Sequence, residues 1–540
     1  MNFRRLIEFA AFTSLFAVLA AFVFWGTWSL DVVPVMPDHP TTHAADHLSR
    51  FLERWLTNGK FIPGDAIEFL GSPYFWQELK YVLALYMAAL GLAYFCRGRG
   101  LPSVAAYGAG LLLAFSGYWM TLFSAGHYGW FQWMTYGVFA FGLIDRAVVG
   151  RKLHHWLLLG TVVSWAGFNQ QDLWLLFSLF TAAYLVFRCV CEHRLPWKGA
   201  LAALVAFVLV GLPNFREVFG STIKDRQQQI KESGSSVADG KSETEKRWEF
   251  VTNWSMPPED TAEFVLPGVH GDTSCPFVLS IGRRLGSGVT PYQGRLGRPM
   301  NADAGNYRQH SLYLGLVFCL LALGGLGFGL KKAESRREVI FFAVSAVVFY
   351  LLSLGRFFEF AYRLVFALPF GDLIRCPVKW HHLTEFCLAV LAGYGLSALA
   401  AALARVKGLA RLALPITGCV ALLGAADLAR VDQRYCAPVS VAEARRTNSS
   451  AGLMFLPRQQ FQNPQVANMV RQRKIVSVAN YVDNPDVYLV SVLRPFEAEK
   501  PVKGSLTAIL LGVLSLLVAA GVVIHTIVAV RKPNSAIILI

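Results

Sequence analysis

Three aspartates in the first long polar segment carry the clearest potential for chemistry in this chain. Asp38 stands between two prolines in the run Met36-Pro37-Asp38-His39-Pro40, and Asp31 and Asp46 lie on either side of it. The prolines favour an extended backbone at Asp38, and a carboxylate held there can act as a general base toward an acceptor hydroxyl. The ordinary alternative for a loop aspartate is to cap the helix that follows it. Asp38 and Asp46 are therefore the two candidate catalytic residues.

Two further polar turns carry side chains that could bind a substrate: the histidine of the first suits a phosphate or a hydroxyl group, and the amides of the second suit sugar hydroxyls. His127 follows the small residues Ser124-Ala125-Gly126, and Gln170 and Gln171 precede Asp172 in the second turn. The alternative for His127 is a place in an interfacial belt beside neighbouring Tyr and Trp residues, and Asp172 suits an ordinary helix cap. We predict that His127, Gln170 and Gln171 line a substrate pocket.

A cationic group, which consists of Arg363, Arg375 and Lys379, forms the third candidate. Arg and Lys near the start of a helix suit the capture of an anion, above all a phosphate. Snorkelling of long side chains toward a membrane surface is the alternative. The pair His381-His382 follows this group, but adjacent residues on a helix point about 100° apart. We therefore predict no metal site at the two histidines.

The elements that must position these residues are predicted to be membrane helices. The chain has 540 residues, of which 54% are hydrophobic and only 16% charged, and its mean hydropathy is +0.43. A helix needs about 20 apolar residues to cross the hydrocarbon of a bilayer. Twelve segments fit, and they are 5–27, 78–96, 102–122, 130–146, 153–168, 172–190, 198–213, 310–330, 338–355, 380–403, 410–427 and 505–530. The sequence thus predicts an all-α polytopic membrane protein with about twelve transmembrane helices.

The connectors between these segments alternate between short basic turns and long polar loops. Short basic loops stay on the cytoplasmic side of a membrane, so the loops 28–77, 214–309 and 428–503 are predicted to face outward. An even number of helices then leaves both termini cytoplasmic, as the basic pairs Arg4-Arg5 and Arg531-Lys532 indicate. Topology explains the net charge of +15, and no nucleic-acid partner is predicted.

The first outer loop also contains an amphipathic stretch. Its apolar residues recur at helical spacing, and they are Leu48, Phe51, Leu52, Trp55 and Leu56. This pattern predicts a helix that Gly59 ends and that lies flat at the outer interface of the membrane. The predicted organisation is a transmembrane domain over 1–427, a short outer C-terminal region over 428–504, and a final helix with a cytoplasmic tail over 505–540.

Several classes of function are disfavoured by motifs that the sequence lacks. A Walker loop is absent, which argues against an ATP-driven pump, and a GxSxG motif is absent, which argues against a serine hydrolase. A transporter would need ionisable residues inside the helices, whereas most polar groups here lie at helix ends. Two alternatives to an enzyme stay open, namely a transporter or flippase of lipid-linked sugars and an inactive protein that assists envelope polysaccharide assembly.

Several short motifs, taken in order and spacing, resemble the YfhO-type bacterial membrane proteins, which belong to the GT-C class of glycosyltransferases. The similarity extends over roughly residues 1–400. The motifs that carry it are 46–59 with Gly71-Ser-Pro-Tyr-Phe, Ala125-Gly-His127, Trp254-Ser-Met-Pro-Pro-Glu259, Phe264-Val-Leu-Pro267, Leu351-Leu-Ser-Leu-Gly355, Leu368-Pro-Phe370, Arg375-Cys-Pro377 and Leu391-Ala-Gly-Tyr-Gly395. Two departures from the pattern are Phe168-Asn-Gln-Gln171, where a Gly-His-Pro-Gln turn is common, and the short outer C-terminal region.

The resemblance implies a GT-C fold in the bacterial cytoplasmic membrane and a sugar donor carried on a polyprenyl phosphate. It implies transfer at the outer face to a glycan or lipid acceptor, with a first-loop acid as the base and basic residues on the lipid phosphate. By its spacing to Gly59, Asp38 is the first choice of base and Asp46 the second. Arg375 and Lys379, with Arg363, would hold the phosphate. No cofactor is predicted because an acidic pair is lacking, although a divalent metal, which some enzymes of the class need, remains an alternative.

Overall fold

The computed structural model describes most of the helical part of the chain and short stretches of the connecting loops. The described residues are 3–25, 32–34, 55–57, 59–60, 73–125, 128–168, 171–194, 196–223, 242–271, 290, 292–293, 311–368, 371, 374–435, 438–440, 451–457, 475–480, 487–493 and 505–531. Asp38, Asp46, His127 and Gln170 lie outside these ranges, and for Gln171 only the backbone is described.

The described residues form fifteen α-helices, which are numbered here in chain order. They are α1 Phe3–Val23, α2 Pro73–Gly98, α3 Ser103–Ala114, α4 Gly117–Ala125, α5 Tyr128–Gly150, α6 Leu153–Trp165, α7 Gln171–Cys191, α8 Trp197–Glu217, α9 Glu243–Val251, α10 Leu316–Lys331, α11 Ala333–Ser353, α12 Glu359–Phe366, α13 His381–Arg405, α14 Ala413–Asp432 and α15 Leu506–Arg531.

The protein is an α-helical polytopic membrane protein, as the hydropathy pattern predicts. Every one of the twelve predicted segments contains a helix. Within the described ranges, however, only seven helices are individually long and apolar enough to cross a membrane, and an eighth results if the bent pair 333–353 and 355–366 is one span. Twelve membrane crossings are therefore not confirmed.

One predicted helix is broken by a contact that the sequence does not reveal. The segment 102–122 divides into α3 and α4 at Phe115 and Ser116. At the break the backbone N–H of Gly117 donates to the carbonyl oxygen of Tyr313 at 2.9 Å, and the N–H of Ser311 donates to the hydroxyl of Thr121 at 2.5 Å. The extended stretch before α10 thus binds the backbone at the break and replaces helical hydrogen bonds there.

Helix α13 lies at the centre of the bundle, where it packs against α10, α11, α3 and α14. Nearly all of its first sixteen residues are buried. Its contact with α10 depends on glycine, since a Cβ on Gly325 would meet the carbonyl oxygen of Leu391 and a Cβ on Gly395 would meet that of Leu321. Small residues at such crossings let two helix backbones approach closely in a membrane, where the hydrophobic effect does not drive helices together.

Buried ion pairs join four helices at one end of the bundle, and we call them the basic-end network. Arg99, just after α2, contacts Glu338 of α11 at 2.5 Å and Asp145 of α5 at 3.7 Å. Asp145 also pairs with Arg188 of α7 at 2.7 Å and accepts a hydrogen bond from Tyr184. Each arginine lies against a carboxylate, so the charges compensate one another away from water. Arg99 and Arg188 belong to short basic turns that the sequence predicts to be cytoplasmic. Because both contact Asp145, these two turns lie at the same end of the bundle.

The described residues also form five short strands outside the helical bundle, and the all-α prediction did not include them. Val32–Pro34 (β1) pairs antiparallel with Pro438–Ser440 (β2). Ala451–Pro457 (β3), Ile475–Asn480 (β4) and Val487–Leu493 (β5) form an antiparallel sheet with β5 in the middle. These stretches are rich in β-branched and other apolar residues, which favour strands. The short C-terminal region therefore contains a small sheet.

The glycine contact between α10 and α13 can be tested with two substitutions on one helix. Gly325→Ala places a methyl group against the Leu391 carbonyl, and we expect it to destabilise the protein by about 1–3 kcal/mol because the helices must separate. Gly327→Ala is the matched control, since a Cβ at Gly327 meets nothing within 4 Å. Thermal unfolding in detergent should give a lower midpoint for Gly325→Ala only. Equal midpoints would contradict the close crossing.

The basic-end network makes a second prediction about stability. Asp145→Asn leaves Arg188 and Arg99 buried beside a neutral amide, and breaking a buried pair costs about 3–5 kcal/mol. The control is Glu334→Gln, whose side chain is 84% exposed in its pair with Lys332 and whose loss should cost less than about 1 kcal/mol. Thermal unfolding of both variants in detergent measures the difference. A similar small effect for both would show that Asp145 does not hold the helices together.

Candidate functional site

Three separate parts of the chain converge at the end of the bundle opposite the basic-end network, which we call the loop end. They are residues 55–60 of the first loop, the turn 168–172, and residues 375–380 before α13. Helix α7 runs from Asp172 at the loop end to Arg188 in the basic-end network. Two predicted site residues with described side chains, Arg375 and Lys379, lie in the third part. A third, Arg363, lies elsewhere, on α12.

Lys379 and Asp172 form a buried ion pair that joins two of these parts. The exposed fraction is 3% for the Lys379 side chain and 10% for that of Asp172. The sequence favours Asp172 as a helix cap, whereas the structure places it inside the first turn of α7, where its carboxylate accepts the N–H of the next residue, Leu173, at 2.9 Å. Its second oxygen contacts the Lys379 ammonium. The positive charge of Lys379 is therefore compensated within the protein.

The backbone before α13 holds Lys379 in place. Cys376 has a φ of +66°, a left-handed conformation that residues other than glycine adopt rarely. Its N–H donates to the carbonyl oxygen of Val251 at 3.2 Å, and the N–H of Val378 donates to that of Trp254 at 3.1 Å. The turn Pro377–Trp380 that follows is therefore fixed on residues Val251 and Trp254, and Lys379 is fixed with it.

Arg375 lies beside this turn and contacts aromatic rings. Its guanidinium carbon is 5.3 Å from the ring centroids of both Phe250 and Trp254, a distance at which a cation is attracted to a ring face. Within the described part of the chain, its Nε is buried without a hydrogen-bond partner. An arginine that is oriented by rings and retains donors suits the bidentate binding of a phosphate.

Arg363 is placed differently from the other two predicted cations. It lies on α12, is exposed, and pairs with Glu359 at 2.9 Å. Its guanidinium also lies 4.4 Å from the ring centroid of Trp248. The structure therefore brings Lys379 to Asp172 and Arg375 to the aromatic residues of the large loop, while Arg363 faces the surroundings of the protein.

Arg356 is a residue that the sequence analysis missed. Its side chain donates to the carbonyl oxygens of Thr252 and Glu249 and to the side chain of Asn253, at 3.0–3.3 Å. It thereby fastens the Trp254 loop to the end of α11. The signal available in the sequence was its position directly after the motif Leu351–Gly355.

A second group lies inside α13, and the sequence analysis considered only its two histidines and missed Glu385. His381, His382 and Glu385 are fully buried, and each imidazole has a nitrogen 3.7 Å from an oxygen of the Glu385 carboxylate. Ser116 and the Tyr118 backbone lie near this carboxylate, although no hydrogen bond of ordinary geometry joins them in the described part of the chain. The signal in the sequence was a glutamate inside the apolar segment 380–403. A carboxylate with two imidazoles can exchange protons.

Aromatic rings enclose the two histidines. The imidazole of His382 lies 4.3 Å from the ring of Tyr118 and 4.5 Å from that of Trp119, between centroids. That of His381 lies 5.0 Å from Phe264. Among the described residues, no group of three or more His, Cys, Asp or Glu side chains is arranged to hold a metal ion.

The described ends of the first loop are anchored to the bundle on both sides of the candidate acids. On one side, β1 pairs with β2, with Val33 opposite Val439. On the other side, Lys60 donates to the carbonyl oxygen of Phe168 at 2.7 Å and forms an ion pair with Glu217. Asp38 and Asp46 are in the segment between these two anchors, outside the described residues.

The predicted role of Gly59 is confirmed. Residues 55–57 are helical, Gly59 has a φ of +68°, and its N–H donates to the Trp55 carbonyl oxygen at 2.9 Å, which is a usual way for a helix to end. A Cβ at Gly59 would collide with the Ala508 carbonyl oxygen of α15. The earlier part of the predicted amphipathic helix, from Leu48, lies outside the described residues.

Comparison with known proteins gives no assignment: no protein-family model, curated protein or solved structure matches this chain. The resemblance to YfhO-type proteins therefore depends on the sequence motifs alone.

The ion pair between Asp172 and Lys379 predicts a non-additive effect of mutation. Asp172→Asn or Lys379→Met alone leaves an uncompensated buried charge, and each should lower stability by about 3–5 kcal/mol. The double variant removes both charges and should be closer to the wild type than either single variant. Thermal unfolding in detergent measures all three, with Glu359→Gln in the exposed pair with Arg363 as the control. Additive losses would mean that the two charges do not interact.

Proposed function

We propose that this protein is a membrane glycosyltransferase that uses a polyprenyl-phosphate-linked sugar. The acceptor is an envelope glycan, lipid or polymer, and transfer takes place on the outer face of the bacterial cytoplasmic membrane, with both termini of the chain in the cytoplasm. The observation that carries the proposal is the convergence of the first loop, the turn 168–172 and residues 375–380 at the loop end.

The proposed reaction is a displacement at the anomeric carbon of the donor sugar. Asp38, or Asp46 as second choice, takes the proton of the acceptor hydroxyl, whose oxygen forms the new glycosidic bond. The bond between the sugar and the phosphate oxygen breaks, and the polyprenyl phosphate leaves with the electron pair. His127, Gln170 and Gln171 line the pocket for the sugar or the acceptor.

Arg375 is the proposed principal ligand of the departing phosphate. The aromatic faces of Phe250 and Trp254 orient its guanidinium, and a planar fork of donors matches a phosphate. Lys379 contributes less charge to the phosphate because Asp172 compensates it, and we assign it the role of holding the turn 168–172 against residues 375–380. Arg363 lies at the edge of this region, on α12.

A lipid-borne donor fits this location. Water-soluble nucleotide sugars are absent outside the cytoplasmic membrane, so a transferase there needs a donor that crosses on a lipid. The short basic turns, three of which meet in the basic-end network, support the proposed orientation because such turns are usually cytoplasmic. No metal or other cofactor is part of the proposal, and an assay with a chelator tests a divalent metal directly.

The main rival is a transporter or flippase of lipid-linked sugars. It is favoured by the buried group His381, His382 and Glu385, because ionisable residues inside membrane helices often mark transport pathways. The two functions differ in their product, since a transferase breaks the bond between sugar and phosphate and a flippase keeps it. An inactive protein that assists polysaccharide assembly would do neither.

Transfer of radiolabelled sugar from polyprenyl-phosphate donors tests the proposal in membranes that contain the protein. Loss of a general base lowers a rate by roughly 10²–10⁴-fold, so we expect such a loss in Asp38→Asn or, failing that, in Asp46→Asn. Asp31→Asn is the matched control from the same loop and should retain transfer. Arg375→Gln should weaken use of the donor.

Each other outcome has a definite meaning. Transfer that persists in both aspartate variants would keep the class of enzyme and refute the proposed base. Movement of intact labelled donor across the membrane without transfer would favour the flippase. Neither activity with a broad panel of donors and acceptors would favour the inactive protein.

A further inference from the structure

Helix α12 presents an unusual surface at the loop end. Its exposed large side chains, Phe360 and Leu364, are followed by Leu368, and their exposed fractions are 76%, 62% and 58%. The spacing of four residues places Phe360 and Leu364 along one face of the helix, and Leu368 follows just beyond its end. A row of large exposed apolar side chains marks a surface that contacts something other than water.

The opposite face of α12 is firmly packed. Tyr362 is fully buried, and its hydroxyl donates to the carbonyl oxygen of Ile374 at 3.3 Å. Trp248 of α9 lies against Tyr362 and Phe366, with ring centroids 6.2 and 5.5 Å apart. These contacts fix the orientation of the helix, so its exposed apolar side chains point away from the protein.

The direction of α12 is the second observation. Between α11 and the segment 355–366 the chain turns by 111°. Since α11 runs from Glu338 in the basic-end network to the loop end, where Arg356 follows it, a helix close to perpendicular to it runs along the plane of the bilayer. The exposed residues Val344 and Val347 of α11 give a lipid-facing surface on the helix that leads to α12.

The polarity of the protein surface changes across α12 in the way expected at a membrane interface. Glu359 and Arg363 pair along one edge of the exposed face, and Arg363 stacks on Trp248 of α9. The first turn of α9 is exposed and polar, with a capping box between Ser242 and Glu245. From α9 across α12, the surface thus changes from polar to charged to apolar, the sequence found across a membrane interface.

We propose that α12 is an interfacial helix whose occupant is the lipid of one leaflet. Phe360, Leu364 and Leu368 lie in the upper acyl region, and Arg363 lies among the headgroup phosphates, where a long cationic side chain is stable. The proposal concerns bulk bilayer lipid and is independent of the glycosyltransferase activity. A second copy of the chain on this face is the alternative that the experiment must exclude.

Depth-dependent fluorescence quenching tests this placement. A small fluorescent amino acid is incorporated singly at Phe360, Leu364 or Leu368 of the full chain, which is then reconstituted into phosphatidylcholine and phosphatidylglycerol vesicles. These positions tolerate the change because most of each side chain is exposed. Val347 on α11 is the matched position in the membrane, and Thr244 on α9 is the matched position in water.

At Phe360, Leu364 and Leu368 we expect lipids brominated near the headgroup to quench the fluorescence several-fold more strongly than aqueous iodide does. Thr244 should show the reverse preference, and Val347 should respond most to lipids brominated deep in the acyl chain. Strong iodide quenching along α12 would overturn the proposal by placing the helix in water. Quenching mainly by deep bromines would overturn it in favour of a re-entrant loop, and protection from every quencher would overturn it in favour of a protein neighbour.

Discussion

The backbone contact between α10 and α13 is the constraint on which the rest of this molecule depends. Without a hydrophobic drive between helices in lipid, position is set by close packing and by buried polar pairs. Gly325 and Gly395 let α13 reach the centre of the bundle. Because Lys379, His381 and Glu385 lie at the first turns of this helix or just before them, these three groups take their position from that crossing.

The two ends of the bundle use buried charge in different ways. At the basic end, Arg99 and Arg188 are matched by Asp145 and Glu338, which favours one fixed arrangement of four helices. At the loop end, Asp172 is paired with Lys379 and Lys60 with Glu217. Arg375 is oriented by aromatic faces instead, and such a cation keeps more of its capacity for an external anion.

Each of the twelve apolar segments contains a helix because the cost of placing a peptide group in lipid leaves helices as almost the only structure for such segments. Helices α9 and α12 lie outside these segments, and hydropathy did not predict them. Gly59 was predictable as a helix end, since its conformation is a local property. The break at Phe115, the turn after α11 and the pairing of Asp172 with Lys379 were not, because each depends on a residue far along the chain. The strands of the C-terminal region were not predicted because they are much shorter than the apolar runs that indicate membrane helices.

One attachment connects the beginning of the candidate site to a late part of the chain. The N–H of Ser505 donates to the carbonyl oxygen of Leu56, Arg216 reaches both Thr57 and Ser505, and Gly59 lies directly on α15. During synthesis, residues 505–512 emerge long after residues 55–60. The first loop can therefore reach this position only after α15 has been inserted, and the order of biosynthesis delays completion of the site until the bundle is nearly whole.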